Sequence, residues 1–183
     1  MKSPAFVFLG IFLTITLATG QTPNTPSDSL NAKADITGFK DKKITGTITF
    51  TENPMVGLHI SGTISGLKPN QTYAIHIHEF GSCDSTQAPG GHFDPAGSGK
   101  HGAPGLSPDA RHAGDLPNIT ANEQGVAQVD FTTNALGVGS SKFSVIGKSV
   151  VIHAKPDDYT SQPAGAAGDR IACGVITAAN QKK

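Results

Sequence analysis

Histidines occur in this chain at spacings that suit metal binding. Two of the seven histidines, His76 and His78, are separated by a single residue within the run TYAIHIHE. On a β-strand, residues i and i+2 project from the same face, so the two imidazoles would point side by side. Such a pair can chelate one metal ion. Taken alone, however, an H-x-H pair on a strand is more often just part of a polar face.

A second set of candidate ligands follows in the stretch of residues 80–114 and just beyond it. This set contains His92, His101 and His112, and Asp115 comes three residues after His112. Three imidazoles and one carboxylate form a suitable tetrahedral ligand set for zinc. The alternative interpretation of these four residues is a solvated polar loop.

A further imidazole ends the apolar run SVVIH at His153. By itself, a histidine in this position could simply be a hydrogen-bonded polar residue at a strand end. Together with His76 and His78 it would form an all-imidazole site. Such a site suits copper, which binds nitrogen ligands more tightly than zinc does.

The elements that must position these side chains are predicted to be short β-strands. Apolar and polar residues alternate along several runs, with Ile48 and Phe50 opposite threonines, and with Val56, Leu58 and Ile60 on one face. Strands are predicted at residues 34–38, 44–50, 55–65, 72–79, 116–121, 126–132, 149–153 and 171–177. About eight short strands with turn residues between them indicate an all-β antiparallel sandwich or barrel.

Two long stretches interrupt this pattern. Residues 80–114 and 154–169 are rich in Gly, Pro, Ser or Asp and have neither a helical nor a strand period. Loops of this length within a compact domain are uncommon and usually functional. Since most of the candidate ligands fall in or beside them, they are predicted to be active-site loops.

The first 20 residues have the pattern of a secretory signal peptide. Lys2 supplies a positive charge, residues 5–18 are almost entirely apolar, and Ala18-Thr19-Gly20 offers a cleavage site. The apolar run is shorter than the ~18–20 residues of a membrane span, which disfavours an uncleaved anchor. We therefore expect a signal peptide at 1–20, a flexible lead-in at 21–32 and one domain at 33–183. The protein would be exported, either to a periplasm or to the extracellular space.

Charge and cysteine content narrow the choice further. The chain has 14 Lys and Arg against 14 Asp and Glu, with no basic stripe, so nucleic acid is not an expected partner. No second apolar segment is long enough for a stable membrane span. The two cysteines, Cys83 and Cys173, are expected to be joined in an oxidising compartment, and the alternative is two free thiols.

Six ordered motifs make the chain resemble the copper/zinc superoxide dismutases over residues 33–181. The motifs are HIHEFGSC (76–83), GGHFDP (90–95), KHGAP (100–104), RHAGDLPNI (111–119), VVIHAKPDD (150–158) and GDRIACGVI (168–176). The resemblance implies an eight-stranded antiparallel Greek-key barrel, an immunoglobulin-like sandwich, with two long active-site loops. It implies disproportionation of superoxide to oxygen and hydrogen peroxide.

The resemblance also implies one copper and one zinc per chain. The implied copper ligands are four imidazoles: His76, His78, His92 and His153. The implied zinc ligands are three imidazoles and a carboxylate: His92, His101, His112 and Asp115. His92 would therefore bridge the two metals and take part in catalysis, whereas zinc would have a structural role.

Several other residues match positions with known roles in the family. Asp157 matches the acidic residue that supports one copper-side and one zinc-side histidine. Arg170 matches the arginine beside the copper, where a fixed cation would attract and orient a small anion. Cys83 and Cys173 match an intrasubunit disulfide, and His59 matches no ligand position.

The resemblance also implies a homodimer. The residues Phe80-Gly81, Ile146-Gly147 and the region of Val175 match the usual surface of such a dimer.

The second loop, residues 154–169, has Lys155 as its sole cation, so electrostatic attraction of superoxide would be weaker or come from elsewhere. The alternative function is a non-catalytic metal-binding or copper-delivery protein of the same fold.

Overall fold

The computed structural model describes residues 30–139 and 141–179. The predicted signal peptide, at 1–20, and residues 21–29 of the predicted lead-in lie outside the described residues. All regular secondary structure in the described residues is β-strand. No helix of the length and hydrophobicity needed to cross a membrane occurs in this part of the chain.

Nine strands, numbered in chain order, make up the described fold. They are β1 (Leu30–Gly38), β2 (Thr45–Asn53), β3 (Gly57–Ser65), β4 (Thr72–Tyr73), β5 (Ile75–His78), β6 (Ile119–Thr120), β7 (Ala127–Thr133), β8 (Ser149–His153) and β9 (Arg170–Ala178). Seven of them form one antiparallel sheet in the order β5–β8–β9–β1–β2–β3–β7, while β4 pairs with β6.

The large sheet curls until its two edges are joined. β4 and β5 are consecutive pieces of one extended segment, separated by Ala74. β4 pairs with β6, and a bridge between Ala121 and Ala127 links the end of β6 to the start of β7. The edge strands β5 and β7 are thus connected through β4 and β6. The predicted antiparallel Greek-key barrel is confirmed, with β4 and β5 corresponding to one of the eight predicted strands.

Alternating side chains fill the inside of the barrel. In β2, Ile48 and Phe50 are fully buried, whereas Thr47 and Thr49 are exposed. Burial of each such apolar side chain stabilises the fold by ~1.5–3 kcal/mol, which is why the residue pattern specifies strands here. The same alternation, continued in the neighbouring strands, builds a single hydrophobic core.

The first strand begins earlier than the sequence pattern suggests. β1 starts at Leu30, within the segment predicted to be a flexible lead-in to residue 32. The reason is long-range pairing, because Ala32 lies opposite both Phe50 of β2 and Ala178 of β9 and is fully buried. Small alanines give a weak local signal, but two neighbouring strands hold them in the sheet.

Two further predictions about the strands need correction. Val56 was expected to share the inner face with Leu58, but it is 61% exposed because it lies in the turn before β3. β6 is limited to Ile119–Thr120, whereas 116–121 was predicted. The backbone N–H of Asn118 donates to the Tyr159 hydroxyl, so this segment bonds to a loop rather than to a strand.

Two irregular segments cover one outer side of the barrel. We call residues 79–118 the first loop and residues 154–169 the second loop, and neither contains a strand. The second loop has the predicted bounds, whereas the first is longer than the predicted stretch of 80–114 because residues 116–118 are not part of a strand. In β5, Ile75 and Ile77 are buried, and His76 and His78, on the opposite face, are equally buried. One face of β5 therefore packs on the core, and the other is enclosed beneath the loops.

A disulfide ties the first loop to the barrel. Cys83 in the first loop is bonded to Cys173 in β9, with the two Cα atoms 5.7 Å apart. The predicted pairing of the two cysteines is thereby confirmed. The bond closes a chain segment with a sequence separation of 90, which restricts the unfolded chain and fixes the loop beside the buried histidines.

Candidate metal centre

Strand register brings the histidines of β5 and β8 together. β5 and β8 pair antiparallel, with His76 opposite Val151, and the N–H of His153 donates to the carbonyl oxygen of Ala74 at 2.9 Å. The first loop then folds back over β5. Isolated bridges place His92 beside His78 and Asp115 beside His76.

Four imidazoles converge in one buried group, which we call the first cluster. Its members each offer one nitrogen, and these nitrogens lie within 4.8 Å of one another; they are His76, His78, His92 and His153. Within it, the Nε2 atoms of His78 and His153 are 3.4 Å apart. These are the four residues for which the sequence predicted copper binding.

Two nitrogens of the first cluster have no hydrogen-bond partner. Among the described residues, His76 Nδ1 and His92 Nε2 are the buried side-chain polar atoms left unsatisfied. Buried polar atoms without a partner are rare and costly, by about 1–3 kcal/mol each. A metal ion placed among these nitrogens would satisfy both, so the arrangement fits a metal.

A second cluster forms around one carboxylate oxygen. Asp115 Oδ1 lies 2.8 Å from His92 Nδ1, 3.0 Å from His101 Nδ1 and 3.4 Å from His112 Nδ1. Ligand atoms around a tetrahedral zinc, with bonds of ~2.0–2.1 Å, are about 3.3 Å apart. The three oxygen–nitrogen separations are within about 0.5 Å of this value, and all four donor atoms lie within 4.8 Å of one another, so the group could hold a zinc ion.

His92 belongs to both clusters. Its Nδ1 faces Asp115 in the second cluster, and its unsatisfied Nε2 faces the first cluster. The ring itself is buried. A single imidazole can thus present one nitrogen to each of two metal ions.

The outward nitrogens of the other rings are held by specific acceptors. His78 Nδ1 donates to the carbonyl oxygen of Gly90 at 3.0 Å, and His153 Nδ1 donates to that of Gly168 at 3.3 Å. A neutral imidazole that donates from Nδ1 keeps its lone pair at Nε2. In both residues that lone pair is directed into the first cluster.

Asp157 connects the two clusters from the second loop. Its Oδ2 lies 2.8 Å from His76 Nε2, and its Oδ1 lies 2.8 Å from His101 Nε2. Carboxylates in this position fix the tautomer and direction of the imidazoles they contact. The sequence assigned Asp157 to this position beside one copper-side and one zinc-side histidine, and the structure brings these three residues together.

The protonation of the clusters follows from burial and charge. Burial lowers the pKa of His92 to about 4 and that of His153 to about 3, and it lowers the pKa of His78 well below its usual range. These rings are neutral at pH 7, the form that binds metals. Burial also opposes the charged form of His101, but hydrogen bonds to Asp115 and Asp157 outweigh it and raise the pKa of His101 to about 9.

The carboxylates remain ionised despite being buried. Burial alone would raise the pKa of Asp115, but the hydrogen bonds from His101, His112 and His92 hold it well below its usual range. An ionised carboxylate among imidazoles supplies the negative charge that a dication requires.

The main chain of Asp157 is fixed by an amide side chain that sequence reasoning missed. Asn118 Oδ1 accepts the N–H of Asp157 at 2.8 Å, and Asn118 Nδ2 donates to the carbonyl oxygen of Asp157 at 2.9 Å. In the sequence, Asn118 is recognisable merely as the start of the N-x-T sequon Asn118-Ile119-Thr120. No local pattern marks it as a partner of Asp157, because the two residues are 39 positions apart.

A buried cation stabilises the segment that carries His112 and Asp115. Arg111 donates from Nη1 to the carbonyl oxygens of His112, at 2.7 Å, and Asp115, at 3.2 Å, and from Nε to that of Leu106, at 3.0 Å. Arg111 is the first residue of the motif RHAGDLPNI, but the sequence did not indicate a function for it. Its hydrogen bonds indicate that it shapes the loop around the second cluster.

Arg170 lies at the edge of the first cluster. It begins β9 opposite His153, and its guanidinium donates to the carbonyl oxygens of Thr86, at 2.8 Å, and Gly90, at 2.5 Å. The Gly90 carbonyl is the same acceptor that binds His78. The structure thus brings Arg170 beside His78 of the first cluster.

A groove of about 750 Å³ extends from Arg170 across the surface. Its apolar wall includes Phe39 and Leu67, and Lys40 and Lys68 also line it. No ion pair of either lysine is present among the described residues. Asp41 and Asp169 are part of the same lining and partly offset the positive charge.

His59 lies apart from both clusters. It sits on the exposed side of β3, where its Nε2 is 2.8 Å from Asp130 Oδ1. The sequence left it out of the ligand set, and the structure places it on the outside of the barrel. It provides a natural control for experiments on the buried histidines.

Comparison with known proteins gives a consistent result. The family model described as copper/zinc superoxide dismutase (SODC) matches residues 44–176. A Cu-Zn superoxide dismutase of Deinococcus radiodurans is 40% identical over 182 residues, covering 94% of this chain and 93% of that protein. Cu-Zn superoxide dismutase 2 of Aquifex aeolicus is 37% identical over 182 residues, covering 96% and 99%.

Solved structures agree with these sequence relatives. The clock protein EA4 superimposes with a TM-score of 0.72 at 35% identity, covering 80% of this chain and 93% of that one. A SOD-like protein from Bacillus subtilis superimposes with a TM-score of 0.69 at 30% identity, covering 78% and 96%. The family match and the named relatives show that this chain belongs to the copper/zinc superoxide dismutase family.

Proposed function

We propose that the protein is a superoxide dismutase with copper in the first cluster and zinc in the second. The observation that carries this assignment is His92, whose two nitrogens face two separate ligand groups. The donor chemistry supports the choice of metals. Four imidazoles suit copper, and three imidazoles with a carboxylate suit zinc.

The reaction converts two superoxide anions and two protons to one oxygen and one hydrogen peroxide. Bound copper supplies the one-electron oxidation and reduction that this conversion requires. Arg170 attracts the anion and orients it at the edge of the first cluster, and its hydrogen bonds to Thr86 and Gly90 hold the guanidinium in place. Lys40 and Lys68 add positive charge along the groove that leads there.

Proton delivery can be assigned to His92. Its Nδ1 is engaged at Asp115, whereas its Nε2 has no partner and lies among the first-cluster nitrogens. When Nδ1 is taken up on the zinc side, the single proton of the neutral ring can be held only at Nε2, which would lie close to the forming peroxide. The second cluster keeps this ring in place from its other side.

We propose further that the protein is exported and forms a homodimer. The Cys83–Cys173 disulfide supports a non-reducing compartment, in agreement with the signal-like residues 1–20.

The proposed dimer surface is centred on Phe80, which is 56% exposed, and the next residue, Gly81, packs closely against Gly147 and Val175. These residues form one continuous surface with a large exposed apolar side chain.

The dimer can be tested by sedimentation of the variant Phe80→Glu. We expect a shift from dimer to monomer, since a carboxylate would be desolvated in the interface. Leu106→Glu, which changes another exposed apolar side chain of the first loop, serves as the control. A monomeric parent protein, or a Phe80→Glu variant that stays dimeric, would contradict the proposed surface.

The function can be tested by metal analysis combined with a superoxide decay assay on the purified protein. We expect one copper and one zinc per chain, and superoxide removal that is lost when copper is removed. His92→Ala should lose activity and weaken binding of both metals, whereas His59→Ala should change neither. Full loading with both metals but no turnover would contradict the proposal and favour a non-catalytic metal-binding protein.

A further inference from the structure

The side chain of Gln162 binds both main-chain polar groups of His101. Gln162 Oε1 accepts the His101 N–H at 2.8 Å, and Gln162 Nε2 donates to the His101 carbonyl oxygen at 2.8 Å. We call this pair of hydrogen bonds the Gln162 clamp. The two residues are 61 positions apart, His101 in the first loop and Gln162 in the second.

The clamp completes a set of contacts that surrounds His101. The imidazole Nδ1 lies 3.0 Å from Asp115, and Nε2 lies 2.8 Å from Asp157. The ring is therefore held from two sides, and the main chain is held by Gln162. Because His101 lies in a segment without a strand, no sheet ladder fixes its main chain.

We propose that Gln162 is a positioning residue for zinc binding and that it couples closure of the second loop to zinc occupancy. This inference rests on the proposed zinc site. The direction of His101 Nδ1 depends on where the main chain lies, so loss of the clamp leaves that ligand atom less well placed. Coupling is reciprocal, so zinc must tighten the clamp by the same factor by which the clamp tightens zinc binding.

The effect should be specific to zinc. The three histidines that belong to the first cluster alone are His76, His78 and His153, and among the described residues none of them has a hydrogen bond to Gln162. The remaining bond of the Gln162 side chain is a long one, from Nε2 to the carbonyl oxygen of Thr160 at 3.4 Å. Removal of the clamp therefore acts directly on the second cluster. The first cluster keeps its own support, because Asp157 still contacts His76 and its main chain is still held by Asn118.

The test compares Gln162→Met with Gln71→Met. Methionine matches glutamine in length but cannot form the clamp. Gln71 is a suitable control, because its Nε2 donates to the carbonyl oxygen of Ala154 at 2.8 Å, at the opposite end of the second loop. Zinc and copper dissociation constants are measured by competition with chromophoric chelators. We expect Gln162→Met to weaken zinc binding about 10-fold, with copper binding unchanged, and Gln71→Met to change neither.

A second measurement uses the unmodified chain. Zinc added to the zinc-free protein should slow exchange of the Gln162 side-chain amide protons, observed by NMR, because the clamp closes around His101. Equal zinc affinity of the Gln162→Met variant and the parent, or an equal loss of copper and zinc affinity, would overturn the inference. Titration of the parent protein with zinc separates failure of this inference from failure of the proposed zinc site. A parent protein that binds no zinc would overturn both.

Discussion

Replacing Asp157 with asparagine should weaken binding of both metals. The carboxylate accepts hydrogen bonds from the Nε2 atoms of His76 and His101, both at 2.8 Å, which leaves their Nδ1 atoms for the two clusters. An amide has one accepting oxygen, so its NH2 group would face an imidazole nitrogen that carries a proton. That imidazole would have to move its proton to Nδ1, the atom needed for the metal.

The size of the effect follows from the burial and charge of this contact. Burial alone would raise the pKa of Asp157, but hydrogen bonds with His101 and His76 hold it well below its usual range, so the group is ionised at neutral pH. Asp157→Asn therefore removes a buried negative charge as well as one acceptor. Loss of such a supporting residue costs about 10–100-fold in metal affinity, or ~1.4–2.7 kcal/mol.

The assay is chelator competition for zinc and copper, with Asp158→Asn as the matched control. Asp158 is the next residue and loses the same charge, but its carboxylate bonds to Thr160 and Ser161 and contacts no cluster histidine. We expect Asp158→Asn to retain both affinities within about twofold. If both variants bind metals as the parent does, the proposed control of the imidazole tautomers is refuted. If both lose affinity equally, the effect is one of net charge.

Three other perturbations test separate parts of the structure. The free energy of unfolding of the metal-free protein should fall as the pH is lowered from about 6.5, the pKa of an unfolded histidine, towards about 4, the lowered pKa of His92. The expected loss is up to ~1.4 kcal/mol per pH unit for each buried imidazole that gains a proton on unfolding. An equal free energy of unfolding in urea at pH 7 and pH 5 would contradict this. Gly165→Ala should weaken metal binding, since φ is +65° there and a Cβ would lie 1.8 Å from the bridging carboxylate. Gly97→Ala, with φ at +74° but open space around it, should not. The double variant Lys40→Gln, Lys68→Gln should slow superoxide removal about twofold per charge at low salt, if each lysine charge lies ~10 Å from the anion in water. An unchanged rate would show that these lysines do not attract the substrate.

The strands could be predicted because alternation gives a local signal, whereas the candidate ligands in the first loop were assigned through motifs that resemble those of the family. Alternation in β2 gives the inner positions of Ile48 and Phe50 directly, and strand geometry alone sets His76 beside His78. The start of β1 could not be predicted in this way. Ala32 is an inner residue solely because β2 and β9 pair on either side of it.

The supporting residues of the site were harder to predict than the ligands. Asn118 and Gln162 bind main-chain groups that are 39 and 61 positions away, in segments without periodicity. A polar side chain in a loop gives no indication of which distant carbonyl it will meet. Lys40 and Lys68 in the groove are similar, because they follow β1 and β3, far in sequence from Arg170.

The two clusters differ in how the fold builds them. The ligands that belong to the first cluster alone come from β5 and β8, where a backbone ladder fixes their positions. The ligands that belong to the second cluster alone all lie in the first loop, which has no ladder. Side chains must therefore supply the missing constraint there, and they do so through Arg111, Asp157 and Gln162. The second loop has Lys155 as its sole cation for attracting substrate, but it contributes two of these three contacts. We therefore infer that its main role is to hold the second cluster in place.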